Sequence, residues 1–413
     1  MKKVTFLASI GSALEYFDFV IYGMMAGYLS KLFFPLASES MRLVQIFSVF
    51  AVGYLARPLG GILFGMLGDH LGRSKIFLYV MLLMGAATLG IAFLPTYEKA
   101  GLFAAVLLTF CRLLQGISFG AELPGAITVI SEFSEEKKQS RNCSFVISST
   151  CLGSITASLL LFVLTKYFQE EAILAWGWRI PFFVGGLFAF ILFFLRKLLP
   201  ETPIFIKQHT SLKEPLQQLV KEHRSSIFLG FGSIFFTSLL IIVNISYPAY
   251  LSTYLHYPLP DVYFATMLSL IYAALILPFF GWLCDCLGKK SVFLTTTFLF
   301  AIGGGFLLKY LAASHLLLFM LVNQTFICAS MISFFPFLTE LFPTSVRYTG
   351  VAFSYNMAYF FAALSPMLFS YILTIAPRIE ILFWALSLAA LLSFISGLFS
   401  VLLKKELPLQ ERG

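Results

Sequence analysis

The chain has 413 residues, of which 59% are hydrophobic and only 12% charged, with 48 Phe and a formal net charge of +8. That composition leaves too little polar surface to cover a water-soluble globule, so a polytopic membrane protein is expected. The basic excess lies in short loops between apolar runs, without a patch interleaved with aromatics, which argues against a nucleic-acid partner. No nucleotide-binding loop or nucleophile constellation occurs, so an enzyme is not expected. Cys284-x-Cys286 has no His nearby to complete a tetrahedral set, and neither a metal nor a cofactor is expected.

The first apolar run, 4–29, follows Met1-Lys2-Lys3. It is interrupted by Glu15 and Asp18 and followed by no small-residue cleavage site, so it reads as an uncleaved helix rather than a secretory leader. A charge at the bilayer centre costs at least about 2.5–3.5 kcal/mol, and such residues usually face a bundle interior or a wet cavity. On a helix Gly11, Glu15, Asp18 and Tyr22 share one stripe. Ala13, Phe17, Val20 and Met24 form the opposite face, expected against lipid or neighbouring helices.

Windows long enough to span a bilayer occur at roughly 4–29, 43–67, 76–95, 101–130, 143–165, 180–199, 226–254, 262–283, 291–310, 315–339, 348–375 and 379–403. Twelve spans put both termini on one side, and placing that side in the cytoplasm assigns most of the 28 Lys and Arg to cytoplasmic segments.

The chain also repeats itself. Gly65-x-x-x-Asp69-x-x-Gly72-Arg73-x-Lys75 follows span 2, and Gly281-x-x-x-Asp285-x-x-Gly288-Lys289-Lys290 follows span 8. Glu132 and Arg141 follow span 4, while Glu340 and Arg347 follow span 10. The expected organisation is therefore a six-helix unit over 1–199, a linker over 200–225, a second six-helix unit over 226–403 and a short cytoplasmic tail over 404–413. Repeated halves about a central site are the usual build of a secondary transporter.

The loop after span 2 resembles the signature loop of the major facilitator superfamily. Leu14-Glu-Tyr-Phe-Asp-Phe19, Leu55-Ala-Arg-Pro-Leu-Gly-Gly61, Gln115-Gly-Ile-Ser-Phe-Gly-Ala-Glu122 and Trp176-Gly-Trp-Arg-Ile-Pro-Phe182, with Pro200-Glu-Thr-Pro203 behind it, resemble the bacterial metabolite:proton symporters of that superfamily. This group includes proline/betaine, citrate and oxoglutarate carriers. Ala121 and Leu123 depart from its pattern, which more often has Gly and an aromatic about the acid. The resemblance implies an all-α fold of twelve transmembrane helices in two pseudo-symmetric halves, a bacterial inner-membrane location, and a monomer working on protons and a small-molecule substrate. It also implies that Asp69 sits at the start of span 11 near Thr344 to Arg347, and that Arg73 reaches Glu132, closing a cytoplasmic gate. Arg141, Asp285, Glu340 and Arg347 are the matching gate positions.

Glu15, Arg57 and Glu122 are expected at comparable depth, with Asp18 and Arg112 further out. Three carboxylates against two arginines sum to minus one, or to zero when one acid is protonated. Arginine cannot practically lose its proton, and the five His lie in cytoplasmic segments or near outer ends of spans, so Glu15 or Asp18 is expected to carry the coupling proton. Arg112 would approach it during the cycle, and Glu122 with Arg57 is the candidate structural pair.

The candidate substrate lining combines Tyr22, Arg57, Gln115 and Glu122 with uncharged second-half residues. These are Asn244, Tyr247, Tyr250, Tyr272, Asn323, Gln324, Tyr355, Asn356 and Tyr359. As a set they suggest aromatic faces and few formal charges, suited to an amino acid or betaine-like zwitterion through cation-π contact. A di- or tricarboxylate would require Arg57 or Arg112 to be freed. Drug efflux is less expected because span 5 lacks the Gly-Pro-x-x-Gly-Gly run of drug:proton antiporters.

Overall fold

The computed structural model describes residues 13, 16–18, 20–71, 73–119, 138–197, 221, 223–342, 347–376 and 378–406. Apart from two short turns of helix, twelve helical segments follow one another among these residues: α1 (Ala26–Phe33, preceded by helical residues 16–18 and 20–24), α2 (Glu39–Leu71), α3 (Arg73–Phe93), α4 (Leu102–Phe119), α5 (Gln139–Tyr167) and α6 (Arg179–Lys197). Then come α7 (Arg224–Leu255), α8 (Leu259–Leu287), α9 (Lys289–Leu299 and Gly305–Ser314), α10 (Leu316–Thr339), α11 (Arg347–Ala363 and Ser365–Ile375) and α12 (Glu380–Glu406). Helices are what an apolar run must form in hydrocarbon, where each backbone N–H and C=O needs a partner within its own segment.

Among the described residues nine helices are long and apolar enough to cross a membrane, and a tenth span is a pair bent by 43° at Trp178. The apolar part of α3, Leu78–Phe93, is shorter. Large apolar side chains point outward, Leu275 at 75% and Phe194 at 64% exposure, while Asp18, Arg57 and Arg112 are buried. This inversion of the water-soluble pattern places the apolar surface against lipid.

Close backbone approach at glycine draws the first helices together. A Cβ on Gly116 of α4 would stand 1.9 Å from the Gly53 carbonyl oxygen of α2, and one on Gly60 would stand 1.8 Å from that of Ile117. Such crossings by small residues are the usual means of association between membrane helices. α2 packs on α4, α3 on α6, α7 on α11 and α12, and α8 on α10, while α5 with α8 and α2 with α11 join the two halves. A π-turn at Phe300–Gly304 interrupts α9. α11 breaks at Leu364, where Pro366 cannot donate to the helix ladder.

Candidate functional site

Asp18 projects from the first helix into the packed interior of the first half. Its Oδ2 accepts hydrogen bonds from the hydroxyl of Thr88 on α3 and from Nε2 of Gln115 on α4, the latter at 3.0 Å. Gln115 Nε2 also reaches Thr88 Oγ1 at 2.8 Å, and its Oε1 accepts from Arg112 Nη1 at 2.7 Å. Asp18 Oδ1 and Arg112 Nε are buried with no hydrogen-bond partner among the described residues. The Arg112 guanidinium lies 4.1 Å from the centre of the Tyr22 ring. Asp18, Arg57, Arg112 and Gln115 line one small cavity with Met84 and Phe119.

Arg57 lies 3.8 Å from the Phe119 ring centre and 4.2 Å from that of Tyr54. Tyr359 stacks on Tyr54, with ring centres 6.2 Å apart, and Tyr355 meets Tyr359 at 4.4 Å. Of the aromatics read from the sequence as solute lining, Tyr22 and Tyr359 lie beside the protein's own guanidinium groups, 4.1 Å from Arg112 and 5.9 Å from Arg57.

The larger cavity lies between the halves and has a volume of about 60 Å³. Val20, Met24, Thr150, Cys151 and Ser154 line it from the first half, and Asn244, Leu277, Gln324 and Cys328 from the second; among the described residues Tyr16 is the one aromatic that lines it. Asn244 Nδ2 and Gln324 Oε1 have no hydrogen-bond partner among the described residues. The face of the first helix that carries Val20 and Met24 therefore looks into this cavity, whereas the sequence reading set it against lipid or neighbouring helices.

The remaining second-half residues are spread more widely. Tyr247 donates to Asn323 Oδ1 at 3.3 Å, Tyr250 to the Pro366 carbonyl at 2.7 Å, and Asn356 Nδ2 to the Ala352 carbonyl at 3.0 Å. Tyr272 meets Thr325 Oγ1 at 3.0 Å. These four hold helices or their own backbone, and none of them lines the larger cavity.

At the end of the bundle bearing the second signature loop, Asp285 accepts from the backbone N–H groups of Ser140 and Arg141 at 3.0 and 3.1 Å. A carboxylate there satisfies donors that the first turn of α5 leaves open. Lys289 donates to Gln139 Oε1 at 2.9 Å and pairs with Glu340 at 2.5 Å; Lys290 pairs with Glu340 at 3.6 Å. At the opposite end Tyr263 donates to the Met24 carbonyl at 2.8 Å. Glu15, Glu122 and Glu132 lie outside the described residues, as do the side chains of Asp69, Arg73 and Arg347.

Thr88 was not singled out from the sequence. A threonine within a span commonly returns its hydroxyl to the carbonyl four residues back, and this one does reach the Met84 carbonyl at 2.9 Å.

Two helical halves about a central cavity, with Asp18, Arg57 and Arg112 buried among them, have the build of a secondary transporter. A family model described as "Sugar (and other) transporter" matches residues 4–222, and one described as "Major Facilitator Superfamily" matches residues 227–413. The chain belongs to the major facilitator superfamily. It is 30% identical to the proline/betaine transporter of Salmonella typhimurium, over 96% of this chain and 83% of that one. To the glycine betaine/proline/ectoine/pipecolic acid transporter of Dickeya dadantii it is 29% identical, over 97% and 83%. Its fold is similar to the crystal structure of a D-xylose-proton symporter, with a TM-score of 0.75 at 17% identity over 96% of both chains. The partially occluded inward-open form of the xylose transporter from E. coli matches with a TM-score of 0.73 at 18% identity, over 99% of this chain and 98% of that one.

Proposed function

We propose that the protein is a proton-coupled symporter importing a small zwitterion, an amino acid or betaine-like solute, across a bacterial inner membrane by alternating access. Asp18 carries the proton, and the cavity between the halves holds the solute. The observation that carries the reading is the setting of Asp18. Its carboxylate is buried and met by Thr88 and Gln115, which are neutral, while its other oxygen has no partner among the described residues. The Thr88 hydroxyl both donates and accepts, so the site can hydrogen-bond either protonation state. The zwitterion is supported by the names of the relatives, which transport proline and betaines.

The same reading makes 1–199 and 226–403 the rocking halves of a monomer, joined by the 200–225 linker, with the 404–413 tail and both termini cytoplasmic. The end bearing Asp285 then faces the cytoplasm, as its cluster of basic residues favours.

The test is charge movement in proteoliposomes without an imposed potential on adding proline, betaine, oxoglutarate or citrate. Inward positive current with a zwitterion is expected; a response to carboxylates alone, or to none of the four, overturns the proposal. Asp18→Asn should abolish pH-gradient-driven accumulation and keep solute exchange, because the amide preserves the shape and hydrogen-bonding capacity of the site without a transferable proton.

A further inference from the structure

Among the described residues the larger cavity presents two hydrogen-bonding amides and one aromatic, Tyr16, and this combination discriminates among zwitterions. Asn244 on α7 and Gln324 on α10 are each more than nine-tenths buried, and each has a polar atom without a partner among those residues, Nδ2 and Oε1. The Ser154 hydroxyl reaches the same cavity from α5. A quaternary ammonium has no N–H to offer Gln324 and is recognised mainly by aromatic faces. Several aromatic faces nearby are occupied by the protein's own cations. Tyr54 and Phe119 lie against Arg57, and Tyr22 against Arg112.

We infer that the transporter selects zwitterions that carry an N–H on the cationic centre, primary to tertiary ammonium, over fully N-methylated betaines. Gln324 Oε1 accepts that N–H, Asn244 Nδ2 with the Ser154 hydroxyl donates to the carboxylate, and Leu277 and Met331 cover the aliphatic body. Satisfying both buried amide atoms is the source of selectivity, since a buried polar group left unpaired costs more than a hydrogen bond gains. The inference rests on the reading of this cavity as the solute site.

The experiment is equilibrium binding and proteoliposome current with the unmodified protein for proline, N-methylproline and N,N-dimethylproline, which remove the N–H groups one by one. Affinity is expected to change little at the first methylation and to fall about ten-fold or more at the second, when the last N–H disappears. Gln324→Leu should bring proline down to the dimethyl level without weakening the dimethyl compound further. Equal affinity for proline and N,N-dimethylproline overturns the inference alone and leaves zwitterion symport standing. Binding of oxoglutarate or citrate with no response to any of the three overturns the solute reading itself. The methyl series needs no variant, so a poorly folding Gln324→Leu protein does not weaken the test.

Discussion

Asp18 and Arg112 are joined through Gln115 and not to each other: the amide donates to the carboxylate at 3.0 Å and accepts from the guanidinium at 2.7 Å. The two opposite charges are therefore coupled without being fused into an ion pair. When Asp18 loses its charge, Arg112 keeps its bond to Gln115 and its contact with the Tyr22 face. Breaking a buried ion pair by removing one partner costs several kcal/mol because the other charge is stranded. Here the Arg112 guanidinium keeps a hydrogen-bond acceptor and an aromatic face in either state of Asp18, which lessens that penalty.

Thr88 offers the sharpest test of that site. Its single proton can go to Asp18 or to the Met84 carbonyl, and its oxygen receives Gln115. Thr88→Val keeps the shape and removes the hydroxyl, deleting a hydrogen bond to a charged group worth about 1.5–3 kcal/mol. Proton-driven accumulation should fall about ten-fold or more with little change in solute exchange, and Thr88→Ser should restore it. Full accumulation by the valine variant would remove Thr88 from the coupling site.

The helix crossings make a second prediction. Gly116→Ala puts a methyl group on the Gly53 carbonyl of α2, while Gly27→Ala meets nothing within 4 Å. The first should destabilise the protein by about 1–3 kcal/mol through overpacking, and it should displace Arg112, one turn away on α4. Gly27→Ala should be neutral or slightly stabilising. Thermal unfolding of the two variants in detergent, side by side, reads the difference directly.

Much of this was legible in the sequence, for definite reasons. Apolar length dictates spans, so windows such as 226–254 and 315–339 reappear within a few residues as α7 and α10. Charges inside apolar runs are costly enough to announce themselves, which is how Asp18, Arg112 and, beside them, Gln115 were found. Thr88 and Val20 carry no such signal, because a threonine is self-satisfied in any helix and a valine is at home in every membrane face. Nor does a tyrosine reveal whether its ring will meet a solute or a guanidinium. That choice is made by helix rotation and packing between α1, α2, α4 and α11, as the stack of Tyr54, Tyr359 and Arg57 demonstrates. The repeated Asp285 loop was visible, but its seat on the first turn of α5 depends on how the halves meet.

That seat yields the last prediction. Asp285 binds the N–H groups of Ser140 and Arg141 across the interface, where a Cβ on Gly281 would already stand 2.9 Å from the Arg141 Cα. Cys143, less than a turn beyond on α5, is fully buried behind this contact. In a protein whose only cysteine is Cys143, Asp285→Ala should raise its rate of modification by a membrane-permeant maleimide about ten-fold, since two charge-assisted hydrogen bonds no longer hold the end shut. Removing the carboxylate also changes the charge near the thiol, so a second variant is needed far from it. Tyr263→Phe loosens the opposite end by deleting the bond to the Met24 carbonyl. It should favour opening there and slow Cys143 modification by a few-fold. Opposite responses from the two variants identify a pair of alternating gates; equal rates in both variants and the parent would show that these contacts are packing alone.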